Sequence, residues 1–333
     1  MVAMSLEQST STLGHAAQSG LIEVVVVRRA VVADGVVLLD LHRRDSGHLP
    51  VFAAGAHIDL HLTGGLVRQY SLCGDPADPA CYRLAIKLEA SSRGGSAAVW
   101  AVAEGERLFI GAPRNNFRLA EGAGPFVLVA GGIGVTPLLA MAHELERRKA
   151  DYHLHYCVRN ADGAKGLAAL GAAPLMGRIS VHADDDPKTR LDLASVLQPR
   201  GHEARLYLCG PAAFMDLVVG RALAAGWPSD NIHLERFAAT VDQAGDAFTV
   251  TAQRSGVTVT VGPGVSIAEA LTRAGVAVPL SCEQGVCGTC LLDVIEGIPD
   301  HRDSFLTDNE KAANAQLAAC CSRAKTARLV LDI

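Results

Sequence analysis

The 333-residue sequence lacks three features that would place it in a familiar class. Lysine and arginine number 30 against 35 aspartates and glutamates, so the basic surplus typical of a nucleic-acid-binding protein is absent. The uncharged stretch Pro125–His143 is interrupted by three glycines and Pro137, which argues against a membrane-spanning helix there. The first twenty residues carry neither a basic region nor an apolar segment, so we expect 1–20 to be a flexible leader and not a signal peptide.

Cysteine is scarce outside one short segment. The chain has nine cysteines, an odd number, and a disulfide framework is not expected in a chain of this length without an export signal. We therefore expect a reducing cytoplasm, where clustered cysteines bind metal more often than they bind each other. Three of the nine lie in Ser281–Cys290, SCEQGVCGTC, with the spacing C-x4-C-x2-C, and Cys320 follows after 29 residues.

The spacing of these cysteines predicts a plant-type [2Fe–2S] cluster. Structural zinc sites usually combine two close pairs of ligands, whereas here only Cys287 and Cys290 form such a pair. The small residues at 285, 288 and 289 would let backbone N–H groups approach the cluster sulfurs. Spacing favours Cys320 over the adjacent Cys321 as the fourth ligand, and the residues alone leave Cys321 open. The predicted metal ligands are Cys282, Cys287, Cys290 and Cys320.

The hydrophobic pattern divides the rest of the chain into segments. Residues 21–120 hold short alternating strands separated by turns, which is typical of an antiparallel β-barrel, with one helix beginning at Ser96. Residues 121–238 alternate apolar strands with helices and predict a parallel sheet covered on both faces. Residues 239–247 are small and acidic, as in a linker. Residues 248–333 begin with a hairpin and predict a small α+β domain of the β-grasp type.

Two loops of the α/β segment have the chemistry of a nucleotide site. Gly131–Gly134 joins a strand to a helix, for which Thr136 is the predicted N-cap and Pro137 the first residue. Free N–H groups and the positive end of the helix dipole bind a pyrophosphate there. Because Pro137 replaces the third glycine of G-x-G-x-x-G, this is not an ordinary Rossmann fingerprint. Leu208–Pro211 ends another strand of the same sheet and is a candidate for the nicotinamide pocket.

The barrel segment carries a second pair of anion-binding features. In Arg68–Leu72, RQYSL, the side chains of Arg68 and Tyr70 share one face of a strand, where they can hold a phosphate and stack on a planar ring. Arg93–Ser96, RGGS, then opens a helix with free N–H groups. Each feature alone has an ordinary structural explanation. Together in one barrel they predict a flavin with its phosphate.

The motifs RQYSL, RGGS, GGIGVTP, CGP, HLERF and C-x4-C-x2-C, in this order, resemble the phthalate dioxygenase reductase family, to which vanillate demethylase reductases are related. The resemblance extends from about residue 21 to the end, including DHRDSFLTDNEK and CSRAKTARLVLDI. It implies a multidomain protein with an antiparallel β-barrel flavin domain, an α/β parallel-sheet nucleotide-binding domain and a C-terminal β-grasp-like [2Fe–2S] ferredoxin domain.

The resemblance also implies individual site residues. Those implied for FMN are Arg68, Gln69, Tyr70, Ser71, Ala85, Ile86, Lys87, Gly94, Gly95, Ser96, Thr136 and Phe237. Those implied for NADH are Gly131, Gly132, Gly134, Cys209, Gly210 and Pro211. In this family the glycines and serine at 94–96 would receive the FMN phosphate, and Phe237 would cover the ring. The family has one cysteine before x-S-R-A, which supports Cys320 over Cys321.

One departure bears on the nucleotide. The second strand of the α/β segment ends at Val158-Arg159-Asn160, without the acidic residue that would bond the adenosine ribose. Arg159 could instead accept a 2′-phosphate. The resemblance implies NADH, and the residues leave NADPH open.

The three cofactors together imply a function. NADH gives up two electrons as a hydride, whereas an iron–sulfur cluster accepts one electron, and a flavin between them converts one into the other. The chain has no Rieske C-x-H motif, so the expected partner is a separate terminal Rieske-type oxygenase, with no nucleic acid and no membrane involved. The alternatives are a reductase for a diiron hydroxylase, in which the ferredoxin domain usually comes first, and a non-enzymatic redox-sensing or zinc-stabilised module. No catalytic acid–base pair is expected.

Overall fold

The computed structural model describes residues 20–89, 94–198, 201–237 and 242–333. The chain divides into two compact units, Met1–Glu235 and Arg236–Ile333. The strands described in the first unit are β1 (Ile22–Ala33), β2 (Val36–Arg43), β3 (His57–His61), β4 (Val67–Ser71), β5 (Tyr82–Lys87), β6 (Arg107–Ile110), β7 (Phe126–Gly131), β8 (Tyr152–Val158), β9 (Ile179–Ala183), β10 (Arg205–Cys209) and β11 (Ile232–Glu235). Its α-helices are α1 (Gly95–Ala101), α2 (Val135–Arg147), α3 (Leu193–Val196) and α4 (Ala212–Ala224).

The first sheet of this unit is antiparallel and closes on itself. Its strand order is β4-β3-β6-β1-β2-β5. The two outer strands meet at a hydrogen bond from the N–H of Cys73, just after β4, to the carbonyl of Arg83 in β5, with an N···O distance of 3.0 Å. Alternation along β3 buries Ile58 and Leu60 completely. The predicted antiparallel barrel is confirmed.

The second sheet is parallel, with the order β11-β10-β7-β8-β9. β7 is buried on both faces, as expected for a strand between two helical layers. One face packs with α2 and the other with α4. The carboxyl ends of β7, β10 and β11 lie side by side, because Ala130, Cys209 and Glu235 are neighbours in register. This edge is where parallel sheets bind ligands.

The barrel and the parallel sheet share one hydrophobic core. The ring of Phe117, which follows the barrel strands, lies 5.6 Å from the ring of Tyr207 in β10. The hydroxyl of Tyr207 accepts the N–H of Ala120 at 2.7 Å. Because the two sheets form one compact unit, the predicted boundary between residues 120 and 121 stays a prediction.

The second unit is a mixed sheet with one helix packed on it. Its elements are β12 (Phe248–Ala252), β13 (Val257–Val261), α5 (Ile267–Arg273), β14 (Leu291–Glu296), β15 (Pro299–Asp300), α6 (Asp308–Ala313), β16 (Gln316–Ala318), β17 (Arg323–Ala324) and β18 (Arg328–Leu331). The main sheet has the order β13-β12-β18-β14-β16, in which β12 and β18 are parallel. The hydroxyl of Ser266 caps α5 by accepting the N–H of Glu269 at 3.1 Å. The predicted hairpin is confirmed.

The predicted linker 239–247 lies only partly in the described structure. Residues 239–241 lie outside it. The remainder, from Asp242 onward, is hydrogen-bonded to the second unit and ends where β12 begins at Phe248.

Candidate functional site

The four predicted cluster ligands are buried on two loops of the second unit. Cys282, Cys287 and Cys290 lie between α5 and β14, and Cys320 lies between β16 and β17. All nine cysteines of the chain are free thiols. The thiol of Cys282 lies beside that of Cys287 and the thiol of Cys290 beside that of Cys320, which also neighbours Cys321. Two pairs of thiols suit a two-iron cluster, in which each iron takes two protein ligands.

The paired arrangement differs from a mononuclear zinc site. Structural zinc needs four ligands around one point. Within the part of the chain that the structure describes, no group of three or more histidine, cysteine or acidic side chains converges as a single metal ion requires. The paired thiols on the two loops fit the [2Fe–2S] cluster that the cysteine spacing predicts.

Backbone donors surround the first pair of sulfurs. The N–H of Gln284 donates to Cys282 Sγ at 3.3 Å, and the N–H of Thr289 donates to Cys287 Sγ at 3.5 Å. The hydrogen bond from Cys282 lowers the pKa of Cys287 to about 5. The same bond, together with burial, raises the pKa of Cys282. These hydrogen bonds favour the thiolate at Cys287, and the thiolate is the form of cysteine that binds iron.

Cys320 and Cys321 have different surroundings. The thiol of Cys320 pairs with Cys290 and receives a backbone hydrogen bond from Gly285, whose φ of +70° favours glycine. Cys321 is fully buried, and its thiol donates to the carbonyl of Ala318 at 3.6 Å. These contacts favour Cys320 as the fourth ligand.

In the first unit, Arg68 lies against the start of α1. A Cβ atom added at Gly95 would stand 2.7 Å from Arg68 Cγ and 2.8 Å from its Nε, so the arginine can pass only because residue 95 is glycine. Gly94 is the N-cap of α1, and the hydroxyl of Ser96 accepts the N–H of Glu89 at 3.1 Å. A guanidinium beside helix N–H groups forms a corner suited to a phosphate. Arg93 of the same motif lies outside the described residues.

The residues predicted to contact the flavin ring lie on β4 and β5, which meet where the barrel closes. Burial raises the pKa of Tyr70 to about 12, so its hydroxyl stays neutral. The amide of Gln69 donates to Asp59 Oδ1 at 3.1 Å, which fixes the middle of β4. On β5, Ala85 and Ile86 are buried and Lys87 is exposed. The structure thus brings the predicted phosphate and ring residues into one barrel, and their contact with FMN stays a prediction.

The two predicted nucleotide loops lie against each other. A Cβ atom at Gly134 would clash with the carbonyl group of Cys209 and would stand 2.6 Å from the backbone nitrogen of Gly210. A Cβ atom at Gly131 would lie 3.0 Å from Pro211 Cδ. The loops therefore form one surface at the carboxyl edge of the parallel sheet. Burial raises the pKa of Cys209, which makes it a neutral thiol and not a nucleophile.

The predicted start of the helix after the first loop was wrong. Helix α2 begins at Val135 with Gly134 as its N-cap, so Thr136 and Pro137 are its second and third residues. A short 3-10 turn over Gly132–Gly134 already turns the chain, and the hydroxyl of Thr136 donates back to the carbonyl of Ile133 at 3.0 Å. Pro137 is tolerated because the N–H it lacks has no intrahelical acceptor in the first turn.

Glu235 is a polar site residue that the sequence prediction missed. It ends β11 beside Cys209, and its Oε2 atom accepts a hydrogen bond from the hydroxyl of Ser71, with an O···O distance of 3.5 Å. Burial raises the pKa of Glu235 to about 8, and the hydrogen bond from Ser71 opposes that rise. The residue lies inside the HLERF motif at the ligand-binding edge, which is the signal that could have found it.

The raised pKa of Glu235 predicts a pH-dependent stability. Its ordinary pKa is 4.5, and below that pH the side chain is neutral in both the folded and the unfolded chain, so its burial carries no charge penalty. As the pH rises, the unfolded chain ionises first, and the free energy of unfolding falls until the folded chain also ionises at about pH 8. We expect Glu235→Gln to gain thermal stability over the wild type between about pH 5 and 8, by at most ~1.4 kcal/mol per pH unit. The same change at exposed Glu203 is the matched control. A wild-type-to-variant difference that is constant with pH would contradict the assignment.

The chain is similar to known reductases along nearly its whole length. A vanillate O-demethylase oxidoreductase from Pseudomonas sp. (strain HR199 / DSM 7063) is 43% identical over 317 residues, which cover 94% of this chain and 100% of that protein. The phthalate dioxygenase reductase of Burkholderia cepacia is 36% identical over 321 residues, covering 95% and 98%. The chain belongs to the phthalate dioxygenase reductase family. Residues 250–325 match the family model described as a 2Fe-2S iron-sulfur cluster binding domain.

Solved structures agree with this membership. A structure of phthalate dioxygenase reductase, described as a modular structure for electron transfer from pyridine nucleotides to [2Fe-2S], superposes with a TM-score of 0.75 at 35% identity. It covers 95% of this chain and 99% of that one. The predicted multidomain fold of the phthalate dioxygenase reductase family is therefore confirmed, and the chain is an oxidoreductase. No helix among the described residues is long and apolar enough to cross a membrane.

Two residues at the predicted nucleotide and flavin sites stay unassigned within this family fold. At the end of β8, the side chain of Asn160 accepts the N–H of Gly163 at 3.2 Å and caps a short 3-10 turn. The side chain of Asn160 therefore caps this turn at the position where an acidic residue would bond the adenosine ribose. Phe237 is counted with the second unit, so its place over the flavin stays a prediction.

Proposed function

We propose that this chain is the reductase component of a Rieske-type oxygenase system acting on a phthalate-like aromatic compound. It takes electrons from NADH through FMN to a [2Fe–2S] cluster and passes them to the terminal oxygenase. The observation that carries the proposal is the pairing of four buried cysteines. The same chain also holds two predicted anion-binding sites, one at Arg68 and the start of α1 and one at the joined loops of Gly134 and Gly210. The names of the relatives, vanillate O-demethylase oxidoreductase and phthalate dioxygenase reductase, support the class of partner.

The roles of the chain's own residues follow from the geometry. Arg68 and the start of α1 would hold the FMN phosphate, and the closed edge of β4 and β5 would hold the ring. The joined loops at Gly134 and Gly210 would hold the pyrophosphate and bring the nicotinamide to the same edge. Bound flavin supplies the conversion of a hydride into single electrons. The protein positions the two rings and needs no acid–base pair for that transfer.

The cysteine loops form the exit of this path. The N–H groups of Gln284 and Thr289, which donate to the sulfurs of Cys282 and Cys287, would stabilise the added negative charge of a reduced cluster held there. A separate oxygenase receives the electrons, and nothing in these residues contacts that enzyme's substrate. We place the protein in the cytoplasm, a reducing compartment in which clustered cysteines bind metal more often than they bind each other.

The direct test is the colour of the purified protein. We expect a yellow-brown solution in which flavin absorption is overlaid by broad iron–sulfur bands that bleach on addition of NADH. Metal analysis should find two irons for each flavin. A colourless protein loaded with zinc would contradict the proposal and favour the zinc-stabilised module.

A further inference from the structure

The segment Asp242–Asp246, which we call the connector, leads into the second unit. Its composition predicts a linker, yet each of its five successive carbonyl groups accepts a hydrogen bond from that unit. The donors are the side chain of Arg302 to Asp242 and Ala244, the N–H of Gly264 to Gln243, and the side chain of Arg323 to Gly245 and Asp246. A backbone so completely bonded belongs to the folded domain.

Arg323 is the centre of this attachment. It is only 2% exposed, which is rare for arginine, and its guanidinium lies 5.1 Å from the centre of the Phe248 ring. It also donates to the carbonyls of Gly262 and Val265, so one side chain joins the connector to the turn before α5. Arg323 follows the fourth ligand by three residues, which places the attachment beside the cluster loop.

Gln243 is the one connector side chain that turns inward. Its neighbours are exposed, whereas Gln243 is partly buried and donates from Nε2 to the carbonyl of Cys320 at 3.0 Å. The same ligand loop is held by two backbone bonds, from Ala319 N–H to Cys290 and from Ala268 N–H to Ala319. Those bonds fix the residue before the ligand, and the bond from Gln243 fixes the ligand's own peptide group.

We propose that Gln243 is a positioning residue for the fourth cluster ligand, so that the connector forms part of the environment that sets the cluster's reduction potential. The inference rests on the proposed function, because it takes Cys320 as a ligand. The Gln243 amide orients the peptide group of the ligand and brings the partial positive charge of its N–H close to the cluster, which favours the more negative, reduced state. Loss of that donor should make the cluster harder to reduce.

The test compares full-length variants of the holoprotein. In Gln243→Leu the side chain keeps its volume and loses its donor. We expect about a tenfold fall in the equilibrium constant for one-electron reduction of the cluster, which is a shift of about 59 mV to more negative potential. The electron paramagnetic resonance spectrum of the reduced cluster should change with it. Gln253→Leu, the same change at an exposed position of the same unit, should leave both unchanged.

A second variant keeps the test decisive if Gln243→Leu loses its cluster. Arg302→Gln releases the carbonyls of Asp242 and Ala244 on both sides of Gln243 without touching the ligand loop. It should shift the potential in the same direction by a smaller amount. The proposal is overturned if both variants retain the wild-type potential and spectrum. A wild-type protein with no [2Fe–2S] signal would instead overturn the proposed function, so the two failures are distinguishable.

Discussion

Replacing Cys290 by serine is expected to abolish electron delivery to a protein oxygenase while NADH-dependent ferricyanide reduction stays near the wild-type rate. Cys290 is buried and paired with Cys320, so its loss removes one of the two thiols proposed for the same iron. A serine hydroxyl is a poor substitute for thiolate as an iron ligand. Ferricyanide accepts electrons from the flavin directly, and the predicted FMN residues from Arg68 to Thr136 lie in the other compact unit. We expect a loss of about a hundredfold or more in oxygenase reduction.

The adjacent cysteines supply the control. Cys321→Ser should keep the iron–sulfur absorption, because a serine hydroxyl can also donate to the carbonyl of Ala318. Cys320→Ser should lose it. Both activities should be measured for all three variants, together with iron content. An equal loss of ferricyanide and oxygenase reduction in Cys290→Ser would contradict a path in which flavin and cluster act in series.

Gly134→Ala is expected to impair the reaction with NADH, at the start of the proposed electron-transfer path. The added methyl group would clash with the Cys209 carbonyl and lie 2.6 Å from the nitrogen of Gly210, both of which are backbone atoms that cannot rotate away. The strand ends of β7 and β10 must separate, at a cost of about 1–3 kcal/mol or more in stability. Because these loops form the proposed pyrophosphate site, kcat/KM for NADH should fall by about a hundredfold with either electron acceptor.

The matched substitution is Gly220→Ala on α4. A Cβ atom there would meet nothing within 4 Å, and alanine favours a helix over glycine by roughly 0.5–1 kcal/mol. This variant should be at least as stable as the wild type and fully active. The [2Fe–2S] absorption should survive in both glycine variants. A Gly134→Ala protein with an unchanged KM for NADH would show that the joined loops do not bind the nucleotide.

Much of the fold was predictable because its signals are local. The apolar run at Phe126–Gly131, the hairpin after Phe248 and the Ser266 cap of α5 depend on residues a few positions apart. The start of α2 was missed by two residues because a 3-10 turn, which the sequence does not distinguish from a cap, already bends the chain at Gly132–Gly134.

The site was predictable in its residue types and less so in its contacts. The spacing of the cysteines predicts a cluster, but the pairing of Cys290 with Cys320 depends on how β14 and β16 fold together. The bond between Ser71 and Glu235 joins residues 164 positions apart, and no periodicity predicts such a contact. The composition of the connector predicts a linker because its side chains are small and acidic. Most of the bonds that hold it are made by its carbonyl groups, which composition does not reveal.

The two cysteine pairs also differ in the length of chain that each encloses. Cys282 and Cys287 close a very short loop, whereas Cys290 and Cys320 enclose β14, β15, α6 and β16. A cross-link across the longer span removes more conformational freedom from the unfolded chain, by an amount that grows with the logarithm of the loop length. Cluster assembly would therefore act as a staple on the second unit, and the pair at Cys290 and Cys320 would carry most of that entropic stabilisation.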